Sequence, residues 1–277
     1  MKSRMALVVN VSLSKLLFIV LAFLMFSCHN SDKGSDVEDR EQLSRNLNMQ
    51  KEGVNSSASK GPNKSSDVSK DSANSNDHAA RQYTSVPIGK QLWMKENLNV
   101  SRFRNGDSIL EAKTEIDWEV ASDEGKPVWC YYKNKAVNNP TYGKLYNWYA
   151  VADPRHLCPI GWHVPSDAEF TVLTDYLGGE LVAGGKMKAS TLWAAPSQMV
   201  GYKGSQADNS SGFTALPAGC CGINGDFGNL GYGGYLWSST EKNSPDAGGL
   251  WMYADGRDVR PINTDKRNGR SVRCVRD

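Results

Sequence analysis

Residues 157–170 read Leu-Cys-Pro-Ile-Gly-Trp-His-Val-Pro-Ser-Asp-Ala-Glu-Phe and contain the clearest helix start in the chain. Ser166 can cap a helix, and Glu169 stands three residues later, which is the spacing of a capping box. One apolar face follows at helical spacing, made of Phe170, Leu173, Tyr176 and Leu177. Because Gly178-Gly179 supplies a C-terminal stop, the pattern predicts a helix over residues 167–177.

Beyond this helix the sequence changes to short apolar stretches separated by turn dipeptides. Hairpin-type dipeptides occur at Asn224-Gly225, Asp255-Gly256 and Asn268-Gly269. The segments on either side of residues 255–256 predict the best hairpin of the chain. Residues 271–276 alternate and predict a final strand, whereas the Gly-rich residues 220–235 are interpreted as a loop. The predicted class is therefore α+β, with short antiparallel strands, one main helix and long loops.

The segments upstream of residue 157 are less regular. Residues 91–100 partly alternate and predict a half-buried strand. Residues 111–126 are polar around a single Trp118 and predict a loop or a short helix. A second short helix is predicted near residues 146–151.

The N-terminus has the pattern of an export signal. Basic residues occur in the first four positions, an apolar run fills residues 16–26, and Ser27 precedes Cys28. This pattern is typical of a signal peptide, and the run is shorter than the roughly 20 residues of a membrane-spanning helix. We interpret residues 1–27 as a lipoprotein signal peptide and Cys28 as the attachment site of acyl chains such as palmitate. The alternative is ordinary cleavage that leaves Cys28 unmodified.

The next segment separates the predicted anchor from the folded part. Residues 28–82 are rich in Ser, Asn, Asp, Lys and Gly and poor in aromatic residues. Such a composition cannot bury enough apolar surface to offset its ordering entropy. We therefore predict a disordered tether with a reach of roughly 40 Å, followed by one folded domain over residues 83–277.

The charge balance argues against nucleic acid as a partner. The chain has 32 Lys and Arg against 30 Asp and Glu, and no long basic run occurs. Basic residues gather near the C-terminus but alternate with aspartates, which favours solvated strand and loop faces. These residues are Arg257, Arg260, Lys266, Arg267, Arg270, Arg273 and Arg276.

Several motifs occur in one order along the folded part: they occupy residues 91–99, 129–132, 142–151, 157–170, 177–179, 211–219, 236–240 and 271–277. Together they resemble the Fibrobacter succinogenes major paralogous domain family over residues 89–277. The chain is more distantly similar to the sulfatase-modifying-factor group of C-type-lectin-like folds. The resemblance implies a C-type-lectin-like α+β fold and export, but no agreed biochemical activity.

The resemblance also bears on the cysteines. In lectin-like folds the segment before the main helix neighbours the last strand, which implies a disulfide between Cys158 and Cys274. Cys130 is then either free and buried or paired with Cys220 or Cys221. Since no second cysteine pair or suitably spaced histidine accompanies residues 220–221, no metal site is predicted.

The sequence lacks the common catalytic and phosphate-binding motifs. It has no Gly-rich phosphate loop and no HExxH pattern. The paired-cysteine active site of the sulfatase-modifying enzymes and the calcium motifs of sugar-binding lectins have no counterparts at matching positions. His163 is interpreted as structural. We therefore predict no catalytic residue, no cofactor and no enzyme activity.

Binding is the remaining class of function, because Tyr and Trp offer large faces with a polar tip. The predicted ligand-binding residues are Tyr232, Tyr235, Trp251, Tyr253, Asp255 and Arg257. Further candidates are Trp193, Tyr202 and Trp237. The alternative places Trp129, Trp148, Trp162 and Trp237 in the core.

These observations predict a lipid-anchored binding protein of the bacterial outer membrane that faces the exterior. Its expected partners are the membrane, through lipid on Cys28, and a glycan or an envelope protein. The alternative is a structural or adhesion-complex component whose domain packs against a partner, and an enzyme is the least favoured reading.

Overall fold

The structure is a computed structural model that describes residues 83–195 and 204–277. The predicted signal peptide, Cys28, the predicted tether and Tyr202 lie outside the described residues. The described part mixes helices with three β-sheets, which confirms the α+β class.

The strands are mostly short. They are β1 (Ser85–Ile88), β2 (Gln91–Met94), β3 (Leu110–Glu111), β4 (Val128–Cys130), β5 (Leu145–Tyr146), β6 (Trp162–His163), β7 (Ala218–Cys221), β8 (Phe227–Leu230), β9 (Gly233–Glu241), β10 (Asp246–Tyr253), β11 (Val259–Asp265) and β12 (Val275–Arg276). The largest sheet has the order β11-β10-β9-β7-β8, and the others are β1-β2-β12-β6 and β3-β4-β5. Pairing is antiparallel except between β3 and β4 and between β7 and β9.

The helices are α1 (Glu115–Asp123), α2 (Asn139–Tyr142), α3 (Trp148–Val151), α4 (Asp167–Tyr176) and α5 (Glu180–Met187). The capping box predicted for α4 is present, since the Ser166 hydroxyl accepts from the Glu169 N–H and the Glu169 carboxylate accepts from the Ser166 N–H. Thr114 and Asp117 form a second capping box at the start of α1. That box explains why the polar residues 111–126 contain a nine-residue helix rather than only a loop.

The two ends of the domain meet in one sheet. Val275 of β12 pairs with Trp93 of β2 on one side and with His163 of β6 on the other. Close by, a disulfide joins Cys158 to Cys274, which confirms the predicted pairing. The segment that leads into α4 is thereby fixed to the last strand.

The prediction of a final strand over residues 271–276 is only partly right. Regular pairing is confined to β12, and residues 272–275 are all buried rather than alternately exposed. The chain here runs between two parts of the core instead of along a half-exposed sheet. Accordingly, the prediction of solvated basic residues is wrong for Arg270 and Arg273, which are 5% and 0% exposed. It is also wrong for Lys266, which is buried beside Trp148.

Residues 220–235 are not a loop, contrary to the sequence interpretation. They contain the end of β7, all of β8 and the start of β9. Asn224-Gly225 makes the predicted hairpin turn between β7 and β8. Glycine-rich strands lack the alternation on which the prediction relied, which is why the pattern was misleading.

The interior forms three apolar clusters. The first surrounds Trp129, Trp148 and Trp237, with partly buried Trp162 packed against it. These positions confirm the core interpretation of the tryptophans. The second cluster lies between α4, α5 and the largest sheet, and the third lies beneath α1.

The third cluster contains the free cysteines. Cys130 and Cys221 are both buried thiols. Burial, together with a hydrogen bond from the Cys221 thiol to Cys130, raises the pKa of Cys221 well above its usual value. Of the alternatives for Cys130, the structure has the free and buried one.

Candidate ligand-binding surface

The candidate site lies on one face of the largest sheet. Leu250 and Met252 of β10 point into the core beneath α4. Because side chains alternate along a strand, Trp251 and Tyr253 point to the other face. Trp251 lies opposite Tyr235 of β9, and Tyr253 lies opposite Gly233.

Four aromatic rings follow one another across this face. The Tyr232 and Tyr253 ring centroids are 6.4 Å apart, those of Tyr253 and Trp251 are 5.9 Å apart, and those of Trp251 and Tyr235 are 6.4 Å apart. Tyr232 is the most open of the four, with 46% of its surface exposed. We call these four residues the aromatic strip.

Two adjacent glycines make room for the strip. A Cβ on Gly233 would lie 2.5 Å from the Tyr235 ring. A Cβ on Gly234 would lie 2.8 Å from the Leu216 carbonyl oxygen and 3.0 Å from the buried Trp193. The first glycine therefore lets Tyr235 lie against the strand, and the second lets the sheet approach the core behind it.

Two guanidinium groups flank the inner part of the strip. Arg260, on the neighbouring strand β11, lies 5.7 Å from the Trp251 ring and donates to Asp258 at 2.7 Å. Arg270 lies 4.7 Å from the Tyr235 ring and is buried. Since Trp251 and Tyr235 lie against each other and against these cations, they form the base of the strip. At the other end of the strip Tyr232 is exposed and Tyr253 is partly exposed.

Arg270 is an unusual cation for an interior position. Its Nη2 donates to Thr264 Oγ1 at 2.8 Å, while Nε and Nη1 have no partner among the described residues. Burial lowers its pKa to about 10, and the nearby Tyr235 opposes this shift. Contacts with aromatic rings thus take the place of a carboxylate partner.

The strip presents neutral hydroxyl groups. Burial raises the pKa of Tyr235 and also that of Tyr253. The Tyr235 hydroxyl accepts from Asn229 Nδ2 at 3.0 Å. The Trp251 indole N–H lies towards this hydroxyl but makes no hydrogen bond of ordinary geometry. The Tyr235 and Tyr253 hydroxyls therefore stay neutral near neutral pH.

Backbone strain occurs at the rim of the strip. Leu192 and Asn229 both have left-handed φ values, 74° and 63°. The N–H of Ala194 donates to Gly231 at 2.7 Å, which brings the segment of Leu192 beside the turn before Tyr232. Strained residues of this kind concentrate at functional sites, at a cost of about 1–3 kcal/mol each.

Asp255 and Arg257, the two charged binding candidates at the tip of the β10–β11 hairpin, have different surroundings. The Arg257 guanidinium points towards Asp208 Oδ2, at 3.6 Å, and lies over Gly185 of α5. Asp255 lies close enough to Tyr253 to raise its pKa further. The structure therefore groups Asp255 with the strip and directs Arg257 to the helix side.

A buried lysine anchors the hairpin below the strip. Lys188 Nζ donates to the carbonyl oxygens of Tyr253 and Gly256, both at 2.7 Å. Burial lowers the pKa of Lys188 to about 8, although Asp258 and Asp255 oppose the shift. Sequence reasoning missed Lys188, as it missed Asn229, Arg260 and Arg270. Only Arg260 had a usable signal, because the hairpin register aligns it with Trp251.

The remaining sequence candidates are not at the surface. Trp193 is 9% exposed and donates to the Ala215 carbonyl oxygen, and Trp237 is fully buried. Among the described residues, no group of three or more His, Cys, Asp or Glu side chains could hold a metal ion. Within the same ranges, no helix has the length and apolar character to cross a membrane.

The similarity of this chain to known proteins extends over nearly the whole folded part. Residues 86–276 match the family model of the Fibrobacter succinogenes major domain. The chain belongs to this family. No curated protein and no solved structure matches it. The aromatic strip of this Fibrobacter succinogenes major domain lies entirely inside the matched range.

His163 has a structural arrangement of its own within the matched range. Its Nδ1 lies 2.7 Å from Asp277 Oδ1, and its Nε2 lies 2.7 Å from Glu169 Oε1. Burial alone would lower the pKa of His163, but the hydrogen bonds with both carboxylates raise it on balance. The imidazole thus connects β6, the capping box of α4 and the end of the chain.

This arrangement predicts a pH-dependent contribution to stability. Because the folded-state pKa of His163 exceeds its unfolded value of about 6.5, the contribution is fully present below that value. It is lost as pH rises through the folded pKa. We expect His163→Gln to destabilise the protein more at pH 6 than at pH 9, by no more than about 1 kcal/mol because the partly exposed groups are screened.

Urea unfolding of the natural protein and of His163→Gln, at pH 6 and at pH 9, measures this difference in stability. The variant Asp277→Asn should reduce the pH dependence while leaving the Glu169 contact in place. An equal loss of stability for His163→Gln at pH 6 and pH 9 would contradict the prediction.

Proposed function

We propose that this protein is a lipid-anchored, surface-exposed binding protein whose lectin-like domain holds a glycan on the aromatic strip. The observation that carries the proposal is the row of Tyr232, Tyr253, Trp251 and Tyr235 on the face of the largest sheet that lies opposite α4. Sugar rings pack their C–H faces on aromatic rings, and their hydroxyls hydrogen-bond to tyrosine.

The lectin-like part of the proposal is an analogy of fold. It is supported by the pairing of β2 with β12 and by the disulfide between the lead-in to α4 and the last strand. Fold alone does not specify function, and it is the aromatic strip that suggests a glycan as the ligand.

The reactive groups of the described part support binding over catalysis. Cys221 is buried, and its raised pKa disfavours the nucleophilic thiolate. His163 uses both ring nitrogens on carboxylates. Neither arrangement resembles an activated nucleophile with its base.

The anchoring part of the proposal rests on the N-terminal sequence. Residues 1–27 have the pattern of a lipoprotein signal peptide, and Cys28 follows a small residue. Acyl chains on Cys28 would hold the protein at the outer membrane, and residues 28–82 would extend the domain outwards.

A glycan array probed with the purified full chain tests the proposed ligand class. We expect selective binding to one class of glycan. Tyr232→Ala and Tyr253→Ala should each weaken that binding about tenfold or more, equivalent to at least about 1.4 kcal/mol. Tyr176→Ala is the matched control, because Tyr176 is 65% exposed on α4, which packs against the opposite face of the sheet.

Two outcomes would contradict the proposal. Unchanged affinity in the Tyr232 and Tyr253 variants would remove the strip from the binding site. Silence across the array, with one envelope protein co-purifying with the chain, would favour the alternative of an adhesion-complex component. In that case the strip would be a protein interface, for which Tyr, Trp and Arg are also typical.

A further inference from the structure

A charged pair borders the base of the aromatic strip. Arg260 of β11 is in register with Trp251 of β10, and its guanidinium lies 5.7 Å from the Trp251 ring. Arg260 Nε donates to Asp258 Oδ2 at 2.7 Å. The Arg260 side chain is 58% exposed and that of Asp258 is 28% exposed. The pair therefore lies beside the strip at a position that solvent can reach.

The hydrogen-bonding capacity of this pair is only partly used. A guanidinium has five N–H donors, and a carboxylate has about four lone-pair sites. Within the described part of the chain, Nε of Arg260 and Oδ2 of Asp258 are the atoms of the two side chains that hydrogen-bond. Both Nη groups of Arg260 and Oδ1 of Asp258 remain for other partners. The pair thus presents donors and an acceptor side by side, next to the Trp251 ring.

The charges around the pair balance. Lys188 is buried below the hairpin, and Asp255 and Asp258 both oppose the lowering of its pKa by burial. The cations Lys188 and Arg260 are therefore offset by these two carboxylates. Arg257 is directed to the helix side, into an ion pair of its own. This end of the strip thus suits a ligand that hydrogen-bonds without carrying a charge.

We infer that Arg260 and Asp258 bind neighbouring hydroxyl groups of an uncharged sugar whose ring packs at the Trp251 end of the strip. One hydroxyl accepts from an Arg260 Nη group, and the next donates to Asp258 Oδ1. The inference rests on the proposed glycan function and narrows it to neutral glycans. The cation Arg270 does not alter this choice, because it is buried against the Tyr235 ring and out of reach of a ligand.

A matched panel of trisaccharides, bound to the purified full chain, tests the inference. For glucose, galactose and mannose, the panel contains the neutral sugar, the uronic acid and the amino sugar. We expect the neutral member of at least one series to bind, and the charged members of that series to bind no more tightly. The dissociation constant of the neutral sugar should change by less than about twofold between low and high salt, because no net charge is screened.

Variants of the pair test its contact with the sugar. Arg260→Met should weaken binding of the neutral trisaccharide about tenfold, because it removes charge-assisted hydrogen bonds. Arg260→Lys should not restore the affinity, since lysine lacks the guanidinium fork. Arg276→Met is the matched control: Arg276 is also exposed and lies 5.4 Å from a tryptophan ring, that of Trp162, but it belongs to β12 of another sheet. The control should bind the trisaccharide as the natural protein does.

The outcomes separate this inference from the proposed function. If Tyr232→Ala weakens glycan binding and Arg260→Met does not, the strip binds its glycan without the charged pair, and the inference is wrong. It is also wrong if a uronic acid or an amino sugar binds about tenfold more tightly than its neutral counterpart. If no glycan of the panel or of the array binds, the proposed function and the inference fail together.

Discussion

Replacing both Cys158 and Cys274 by alanine is expected to lower the free energy of unfolding by about 4–5 kcal/mol. The disulfide joins residues that are 116 positions apart, so it closes most of the folded domain into one loop. In the entropic account, a loop of this length restricts the unfolded chain strongly. The bond also fixes the segment before α4 next to β12. Urea unfolding of the natural protein and the double variant measures the loss.

The free thiols of the third cluster provide a matched control. Replacing Cys130 and Cys221 by alanine also removes two buried sulfur atoms, but it breaks no covalent link. The control should therefore lose only packing and the weak hydrogen bonds of the Cys221 thiol. A difference of less than about 1 kcal/mol between the two double variants would show that the disulfide contributes little beyond packing.

The parts of the fold that depend on local signals were predictable. The capping box at Ser166 and Glu169 sets the start of α4 within the helix's own first turn. The Asp255-Gly256 dipeptide connects β10 to β11, and its neighbours pair in a continuous register. From that hairpin the pairing of Trp251 with Arg260 also follows.

The parts that depend on distant segments were not predictable. Arg270 and Arg273 have the sequence pattern of solvated residues, yet their carbonyl and aromatic partners come from segments far along the chain. Arg273, for example, donates to Asn97, which lies 176 positions away. The aromatic strip was predictable in part. Its residues could be recognised from the sequence by their type, but the order of their rings depends on the register between β9 and β10.

Trp237→Ala is expected to lower the free energy of unfolding by about 3–5 kcal/mol, because the ring is fully buried and leaves a large cavity. The variant also removes the hydrogen bond from the indole N–H to the Tyr146 carbonyl oxygen at 2.8 Å. In addition, the buried Arg270 loses an aromatic contact at 5.4 Å. Chemical denaturation measures the combined loss.

Two variants separate these contributions. Trp237→Phe keeps most of the ring volume, and the Tyr146 carbonyl oxygen still accepts from the Arg270 N–H at 3.0 Å. We therefore expect a loss near 1 kcal/mol, the usual size of one hydrogen bond. Trp251→Ala should also cost much less than Trp237→Ala, because Trp251 is only partly buried and its N–H makes no regular hydrogen bond.

The comparison of Trp237 with Trp251 bears directly on function. Both tryptophans lie on strands of the same sheet, on β9 and β10, but the first is core and the second is assigned to the aromatic strip. Trp251→Ala should therefore reduce glycan binding while leaving most of the stability. Trp237→Ala should instead reduce stability, while the molecules that remain folded bind the glycan as the natural protein does. If Trp251→Ala destabilises the protein as much as Trp237→Ala, the inner strip is core and only Tyr232 and Tyr253 remain as binding residues.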